Sequence, residues 1–188
     1  MSGISDSHAR APGTVTTVTI LCTEVVGTAE MRKRLGEEPA DRILADHKSL
    51  LRTMADERGS MYIRSRGNGI MAVFPSATAG LDAIIAIERA LILASRETQA
   101  AAERISVRAA LSAGDVRWGQ DDIAGLPPVE AARLLAATDA DRVLCTDVVR
   151  LLAQGGRHCE FIEYGPVHGK GLAEPMHAYE LMWRTAAG

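Results

Sequence analysis

Residues 61–76 have the sequence MYIRSRGNGIMAVFPS, in which two largely apolar runs flank a Gly-Asn-Gly triplet at 67–69. Asn-Gly is the strongest short hairpin signal, because both residues tolerate the positive φ angles that tight turns need. A proline ends the second run, and a serine suited to cap a helix follows it. The stretch therefore predicts a β-hairpin with strands over 61–66 and 70–74, followed by a long helix.

The elements on either side of this hairpin follow from β-branched runs and from apolar residues at helical spacing. The predicted strands cover 14–23, 105–111, 115–118, 142–145, 161–167 and 176–182, and the predicted helices cover 28–35, 39–58, 76–102, 127–137 and 147–154. The second and third of these strands are expected to form a hairpin around Ala113-Gly114. This order predicts an α+β fold with a ferredoxin-like βαββαβ core, in which helices pack on one face of a mixed, mainly antiparallel sheet.

Length and composition are those of one globular domain. The chain has 188 residues, of which 47% are hydrophobic and 24% charged. The net charge is −3 and only 4% of residues are aromatic, so neither the basic stripe nor the stacking platform of a nucleic-acid reader is present in the sequence. We expect a flexible tail over 1–13 and a single domain over 14–185.

The cysteines and the N-terminal segment bear on the compartment. Cys22, Cys145 and Cys159 are odd in number and widely spaced, so they indicate neither a disulfide framework nor a zinc site. The first 13 residues lack the apolar core of a signal peptide, and no uninterrupted apolar run of about 18 residues follows them. We therefore expect a cytoplasmic protein with reduced thiols and no membrane partner.

Three segments combine polar residues with strand or helix ends: TEVVGT at 23–28, the 67–69 turn, and DDIAGLPPVEAAR at 121–133. A carboxylate at Glu24 is suited to bind Mg²⁺, and the N–H groups of the helix start after it are suited to bind phosphate. On spacing alone, the segment favours a plain strand-to-helix turn whose acid is stabilised by the helix dipole. Arg133 lies one or two turns into a helix, where it would reach an anion or face solvent.

Taken together, these segments resemble the catalytic domain of class III nucleotidyl cyclases over residues 14–182. VTILCTEVVGTAEMRKRLGEE is similar to the family's opening strand and its Phe-Thr-Asp-Val-Val-Gly-Ser-Thr loop, and IRSRGNGIMAVFPS to its Lys-Thr-x-Gly-Asp-Gly hairpin. DDIAGLPPVEAARLLAA resembles the Asp-x-Phe-Gly…Val-Asn-x-Ala-Ala-Arg segment, and VHGKGLAEPMHAYEL the closing Lys-Gly strand. Four matches in the right order are far more specific than any one of them.

This resemblance implies a reaction and a set of site residues. The family converts ATP or GTP to the cyclic 3′,5′-monophosphate and pyrophosphate at the interface of a head-to-tail dimer. Two Mg²⁺ ions, held by two Asp side chains, activate the ribose 3′-hydroxyl and clamp the triphosphate. For this chain we expect Mg²⁺ or Mn²⁺ as a cofactor if activity survives, and otherwise none. A Lys and an Asp read the adenine, an Asn and an Arg support the transition state, and a further Lys holds the outer phosphates.

Both implied metal positions are substituted in this chain. Glu24 matches the first metal Asp, and its extra methylene moves the carboxylate oxygens by about 1 Å, a misplacement that can cost about 10²-fold in rate. Asn68 matches the second metal Asp, and its amide oxygen brings no charge to a cation. The residues implied to bind the substrate phosphates beside them are Val25, Val26, Gly27 and Thr28.

The remaining implied positions are partly retained. Arg64 matches the purine-reading Lys, but arginine and lysine are not interchangeable at such a site. Asp122 matches the purine-reading Asp unchanged, which favours adenine as the base. Val129 matches the transition-state Asn, whose role it cannot perform because it forms no hydrogen bond. Arg133 and Lys170 match the family's Arg and phosphate Lys. Loss of one transition-state donor costs about 10²–10³ in rate, and the substituted metal positions bring the expected loss to the order of 10⁴.

We therefore expect a cyclase homology domain with little or no turnover, which acts by nucleotide binding, by dimerisation, or by both. One alternative is a weak adenylate cyclase that prefers Mn²⁺, in which Glu24 and main-chain oxygens hold one metal ion. Another alternative is the non-metal half of a heterodimer. In that case Asp122, Arg133 and Lys170 would complete a site whose metal carboxylates come from another cyclase chain.

Overall fold

The computed structural model describes residues 11–97, 105–120, 122–154, 159–170, 172 and 174–184. The strands are β1 Val15–Val26, β2 Tyr62–Arg66, β3 Gly69–Phe74, β4 Ser106–Trp118, β5 Ile123–Gly125, β6 Val143–Thr146, β7 Phe161–Val167 and β8 Met176–Leu181. The helices are α1 Thr28–Leu35, α2 Glu37–Glu57, α3 Ala77–Glu97, α4 Leu126–Ala137 and α5 Asp147–Ala153. Most of the expected tail, the expected end of the third helix at 98–102 and the domain limit at 185 lie outside the described residues.

The strands form one sheet in the order β2-β3-β1-β4-β6-β8-β7, and β5 pairs with β4 off this path. The β4–β6 pair is parallel, and the other pairs are antiparallel. The predicted α+β class and the mainly antiparallel sheet are therefore confirmed. No helix in the described part of the chain is long and apolar enough to cross a membrane.

Helices cover both faces of the sheet, so the prediction of helices on one face is wrong. Leu21 and Leu111 share a buried cluster with α3 and α5, whereas their neighbours Ile20 and Ala110 share another with α4. Because both faces are covered, the middle of β1 and all of β3 are continuously buried. A continuous apolar run, rather than strict alternation, is the sequence pattern of such strands.

β4 is one strand of 13 residues, so the hairpin predicted around Gly114 is wrong. Gly114 lies within the β1–β4 ladder, opposite Val18. A Cβ at this position would lie 3.1 Å from Pro127 Cγ. The glycine therefore leaves room for the start of α4 to pack against the strand, and it does not mark a turn. The short strand β5, at a position where the sequence analysis predicts no strand, pairs with the far end of β4.

The hairpin predicted at 61–74 is confirmed, with Arg66 and Gly69 as its last pair and residues 67 and 68 as its turn. The predicted reason is wrong, because the turn is Gly67-Asn68 rather than Asn68-Gly69, and neither Asn68 nor Gly69 has a positive φ. Gly67 adopts a positive φ of 55°, as glycine permits at the first turn position. Gly69 belongs to β3 instead, and a Cβ there would lie 1.9 Å from the main-chain oxygen of Thr23. This close approach of β3 to β1 brings Asn68 against the end of β1.

β1 continues to Val26, three residues beyond its predicted end. Glu24 and Val25 therefore lie in a strand and not in a loop. The antiparallel register places Glu24 opposite Arg108 and Val26 opposite Ser106 in β4. Because facing residues of an antiparallel pair have neighbouring side chains, the position of Glu24 is fixed by the sheet rather than by the start of α1.

Candidate functional site

Glu24 and Arg108 form an ion pair across β1 and β4. Arg108 donates from Nε and Nη2 to Oε2 of Glu24 at 2.9 and 2.5 Å. Its Nη1 donates to the main-chain oxygen of Thr138 at 3.2 Å, where α4 ends. Helix C-terminal carbonyls carry partial negative charge. The guanidinium is thus held by a carboxylate on one side and by a helix end on the other.

Asn68 is tied to the end of β1 through its amide group. Its Nδ2 donates to the main-chain oxygen of Val25 at 2.8 Å. The hairpin is also held by the main-chain N–H of Ile70, which donates to Oγ1 of Thr23 at 3.1 Å. Lys48 on α2 donates to the oxygen of Gly67 at 2.9 Å. Hydrogen bonds with two elements, β1 and α2, therefore fix the hairpin tip around Asn68, and the Asn68 side chain acts there as a hydrogen-bond donor.

These contacts do not fit the pair of divalent cations that the resemblance implies. Mg²⁺ and related ions require several oxygen ligands, normally including carboxylates. The carboxylate of Glu24 faces a guanidinium, and Asn68 directs an N–H group at the carbonyl beside it. Within the described ranges, no group of three or more His, Cys, Asp or Glu side chains is arranged to hold a metal ion.

The start of α1 lies beside Glu24 and Asn68. Gly27 has a left-handed φ of 78° and precedes the first helical residue, Thr28. Thr28, Arg32, Lys48 and Asn68 line part of a pocket of about 510 Å³. Val26, the last residue of β1, is exposed. The residues implied to bind phosphate thus run from the end of β1 into the start of α1, next to Asn68.

Arg64 and Asp122 are in contact although they lie far apart in the sequence. Nη1 of Arg64 lies 2.7 Å from Oδ1 of Asp122, and both side chains are substantially exposed. Oδ1 also accepts the main-chain N–H of Ile123 at 2.7 Å. This backbone hydrogen bond, together with Arg64, holds the pKa of Asp122 below its ordinary value. The side chain therefore remains a carboxylate acceptor at neutral pH.

An aromatic contact accounts for the meeting of these two segments. The ring of Trp118, at the end of β4, packs edge-on against Tyr62 of β2, with centroids 6.2 Å apart. Trp118 also donates from Nε1 to Oγ1 of Thr16 at 2.7 Å. The end of β4 therefore packs against β2, and the residues that follow it carry Asp122 to Arg64.

Arg133 reaches from α4 to the loop between β7 and β8. Its Nε donates to the main-chain oxygen of Lys170 at 2.7 Å. A Cβ at Gly169 would lie 2.6 Å from Cδ of Arg133, so the arginine stem packs directly on this glycine. Val129, one turn earlier on α4, is half-buried and has no polar side-chain atom. Arg133 and Lys170, to which the resemblance gives separate roles, are thus in contact, whereas Val129 offers them no hydrogen bond.

The sequence-predicted residues therefore fall into three groups: Glu24 to Thr28 with Asn68, Arg64 with Asp122, and Arg133 with Lys170, to which Val129 is adjacent on α4. Sequence reasoning missed Arg108, which joins the first group. The available signal was a single charge in the apolar strand SVRAALSAG at 106–114. Its meaning depends on strand register, because only the β1–β4 ladder places Arg108 opposite Glu24.

No family model matches the chain. It is 30% identical over 136 residues to the serine/threonine-protein kinase pkn2 of Myxococcus xanthus, and this match covers 71% of this chain but only 16% of that protein. It is 22% identical over 160 residues to the putative adenylate cyclase 3 of Rhizobium meliloti (strain 1021), and this match covers 85% of this chain and 27% of that protein. The chain thus spans well under a third of either relative.

Solved structures give a more complete match. The adenylyl cyclase CyaB from P. aeruginosa superposes with a TM-score of 0.82 at 18% identity, over 95% of this chain and all (100%) of that one. The adenylate/guanylate cyclase/hydrolase from Silicibacter pomeroyi gives a TM-score of 0.75 at 22% identity, over 89% and 97% of the two chains. A bacterial light-regulated adenylyl cyclase gives 0.79 at 17% identity, over 92% and 54%. The chain therefore has the fold of class III adenylyl and guanylyl cyclase catalytic domains, as its sequence segments predicted.

Proposed function

We propose that residues 14–185 form a class III nucleotidyl cyclase homology domain that binds an adenine nucleotide and converts little or none of it to cyclic AMP. The contact between Arg64 and Asp122 at 2.7 Å carries this proposal. Adenine presents an amino donor beside an acceptor nitrogen, whereas guanine presents two acceptors there. An ionised Asp122 next to the guanidinium donors of Arg64 complements the adenine pattern.

The contact between Arg133 and Lys170 supports a phosphate subsite. It uses Nε of the arginine, whereas bidentate binding of a phosphate uses the paired N–H groups of the guanidinium fork. Lys170 is exposed and provides a second positive charge in the loop that Arg133 contacts. These two cations match the positions where the resemblance implies transition-state and outer-phosphate contacts.

Low turnover follows from two other features. Val129 stands on α4 where the resemblance implies a hydrogen-bonding Asn, and loss of one such donor costs about 10²–10³ in rate. Glu24 is engaged by Arg108 at 2.5 Å, so the carboxylate implied to hold a metal ion already has a cationic partner. The nucleotide-binding contacts are therefore better preserved than the reacting centre.

We further propose that two copies associate head to tail, because the family builds its site at such an interface and the three groups of one chain make separate contacts. A heterodimer with another cyclase chain is the competing assembly, and co-purification with a catalytic partner would favour it. The cytoplasm is the proposed compartment, which suits the buried thiols of Cys22 and Cys145.

The proposal is tested by measuring ATP and GTP binding and cyclic AMP formation with the purified chain, in Mg²⁺ and in Mn²⁺. We expect ATP to bind more tightly than GTP, and Asp122→Ala to weaken ATP binding at least tenfold. Glu57→Ala, which removes an exposed acid beside Arg58, is the matched control. Cyclic AMP formation that Arg133→Ala abolishes would instead establish the weak Mn²⁺-preferring cyclase.

A further inference from the structure

We propose that Arg108 takes the place of a divalent cation in this domain. Its guanidinium neutralises Glu24 from within the chain, so the site excludes metal ions and binds the phosphates of its nucleotide without them. The nucleotide part of this inference rests on the proposed function, whereas the exclusion of metal does not. Four observations support it: the charge balance, the reach of Glu24, the anchoring of Arg108 and the donor presented by Asn68.

The charge balance opposes a bound cation. Glu24 and Arg108 together are neutral, and Asn68 adds no charge. Two Asp side chains, as the resemblance implies for the family, would bring two negative charges to the same positions. A Mg²⁺ or Mn²⁺ ion entering this site would have to displace a guanidinium already hydrogen-bonded to the carboxylate through two nitrogens. Charge-assisted pairs of this kind are among the strongest protein hydrogen bonds.

The extra methylene of Glu24 is consistent with this pairing. The ladder places Glu24 directly opposite Arg108, and side chains opposite each other in a sheet start about 5 Å apart. Oε2 of Glu24 accepts from Nε and Nη2 together, which brings the carboxylate against the side of the guanidinium. The substitution that would misplace a metal ligand thus places a partner for arginine.

Arg108 is anchored on a second element as well. Its Nη1 donates to the oxygen of Thr138, a buried residue at the C-terminal end of α4. Oγ1 of Thr138 in turn donates to the oxygen of Leu134 at 2.6 Å. Swinging the guanidinium away to admit a metal ion would break its contacts with both β1 and α4.

Asn68 presents a donor where a cation would otherwise lie between two oxygens. Its Nδ2 lies 2.8 Å from the oxygen of Val25. An Asp at this position would bring a carboxylate oxygen close to a carbonyl oxygen, an arrangement that needs a cation or a proton between them. The amide removes that need, as Arg108 does for Glu24. At both positions an N–H donor of the chain itself, from Arg108 or from Asn68, therefore stands where the proposal excludes a metal ion.

The test measures Mn²⁺ binding to the purified full chain without nucleotide, from the electron paramagnetic resonance signal of free Mn²⁺. We expect the wild-type chain and Asn68→Asp to bind Mn²⁺ at least tenfold more weakly than the double variant Asn68→Asp/Arg108→Ala. The control is Asn68→Asp/Arg117→Ala, because Arg117 is an exposed arginine at the other end of β4. Equal binding by Asn68→Asp and the Arg108 double variant would overturn the role of Arg108.

A second measurement uses the wild-type chain alone, so it does not depend on the folding of any variant. ATP affinity is compared in EDTA and in Mg²⁺, and we expect values within about threefold of each other. A tenfold or greater loss in EDTA would overturn metal-free binding. Failure of ATP to bind under either condition would overturn the proposed function, while the Mn²⁺ comparison would still decide the role of Arg108.

Discussion

Asn68 donates a hydrogen bond from its side-chain amide to the main-chain oxygen of Val25 at 2.8 Å, and this contact joins the tip of the β2–β3 hairpin to the end of β1. Of the contacts in the candidate site, this one depends most strongly on whether residue 68 carries an amide or a carboxylate. An amide donates to a carbonyl oxygen, whereas an ionised carboxylate repels it. Substitution of Asn68 by its acidic isostere therefore tests the geometry directly.

We predict that Asn68→Asp lowers the free energy of unfolding by about 1–3 kcal/mol at pH 7, because a partly buried hydrogen bond is replaced by two facing acceptors. The loss should shrink near pH 4, where a protonated carboxyl can donate to Val25. Urea unfolding of the variant and the wild-type chain at both pH values measures this difference. A loss that is the same at pH 7 and pH 4 would contradict the assigned hydrogen bond.

The ion pair of Glu24 and Arg108 should show a measurable coupling energy. In a double-mutant cycle with Glu24→Gln and Arg108→Gln, we expect a coupling of about 1 kcal/mol, the upper range for partly exposed pairs. The exposed Arg58–Glu57 pair, at 3.3 Å, serves as the control and should give a coupling near zero. Equal coupling energies for the two pairs would show that Arg108 holds Glu24 no more firmly than a surface contact does.

His47 should make the stability of the domain sensitive to mild acid. It is 4% exposed on α2, and neither ring nitrogen has a hydrogen-bond partner among the residues that the structure describes. Burial lowers its pKa from 6.5 to about 4. The unfolded chain therefore binds a proton more readily than the folded one, and stability that is complete above pH 6.5 is lost as the pH falls towards 4.

For this histidine we predict a loss of about 3 kcal/mol between pH 7 and pH 4, since each unit of pKa difference corresponds to about 1.4 kcal/mol. His47→Leu should remove most of that loss, whereas His177→Ala, at an exposed histidine, should leave it intact. Urea unfolding across this pH range gives the values. An unchanged pH dependence in His47→Leu would exclude His47 as its source.

Gly69→Ala should be among the most damaging substitutions near the site. The added Cβ would lie 1.9 Å from the oxygen of Thr23, so β3 would have to separate from β1, and we expect a loss of about 4 kcal/mol or failure to fold. Gly59→Ala, at a left-handed glycine with open space around it, should lose only about 1 kcal/mol. Thermal unfolding of the two variants provides the comparison, and similar losses would contradict the close approach.

The local elements of the fold are predictable from the sequence because their causes are local. The β-branched and aromatic run at 161–167 matches β7, and the range predicted for α1 matches its observed bounds. Gly114 misleads for the opposite reason. Its lack of a side chain accommodates Pro127, a residue of another element, so a pattern typical of a turn occurs inside a continuous strand.

The candidate site shows the same division. The resemblance implied that Arg64 and Asp122 both read the purine, because each matches a position of the family motif, but the contact between their side chains comes from the structure alone. Nothing in the motif pointed to Arg108 as the partner of Glu24. That pairing depends on the β1–β4 register and on the position of the end of α4. Neither can be predicted from the local sequence of a single segment.

Titration of ATP into the purified chain in EDTA, followed by addition of Mn²⁺ and analysis of the same sample for cyclic AMP, tests the central claim most directly. We predict saturable binding in EDTA that Asp122→Ala weakens at least tenfold, little change on adding Mn²⁺, and little or no cyclic AMP. Binding that appears only with Mn²⁺ and is accompanied by cyclic AMP would contradict it, and would make the chain a metal-dependent cyclase.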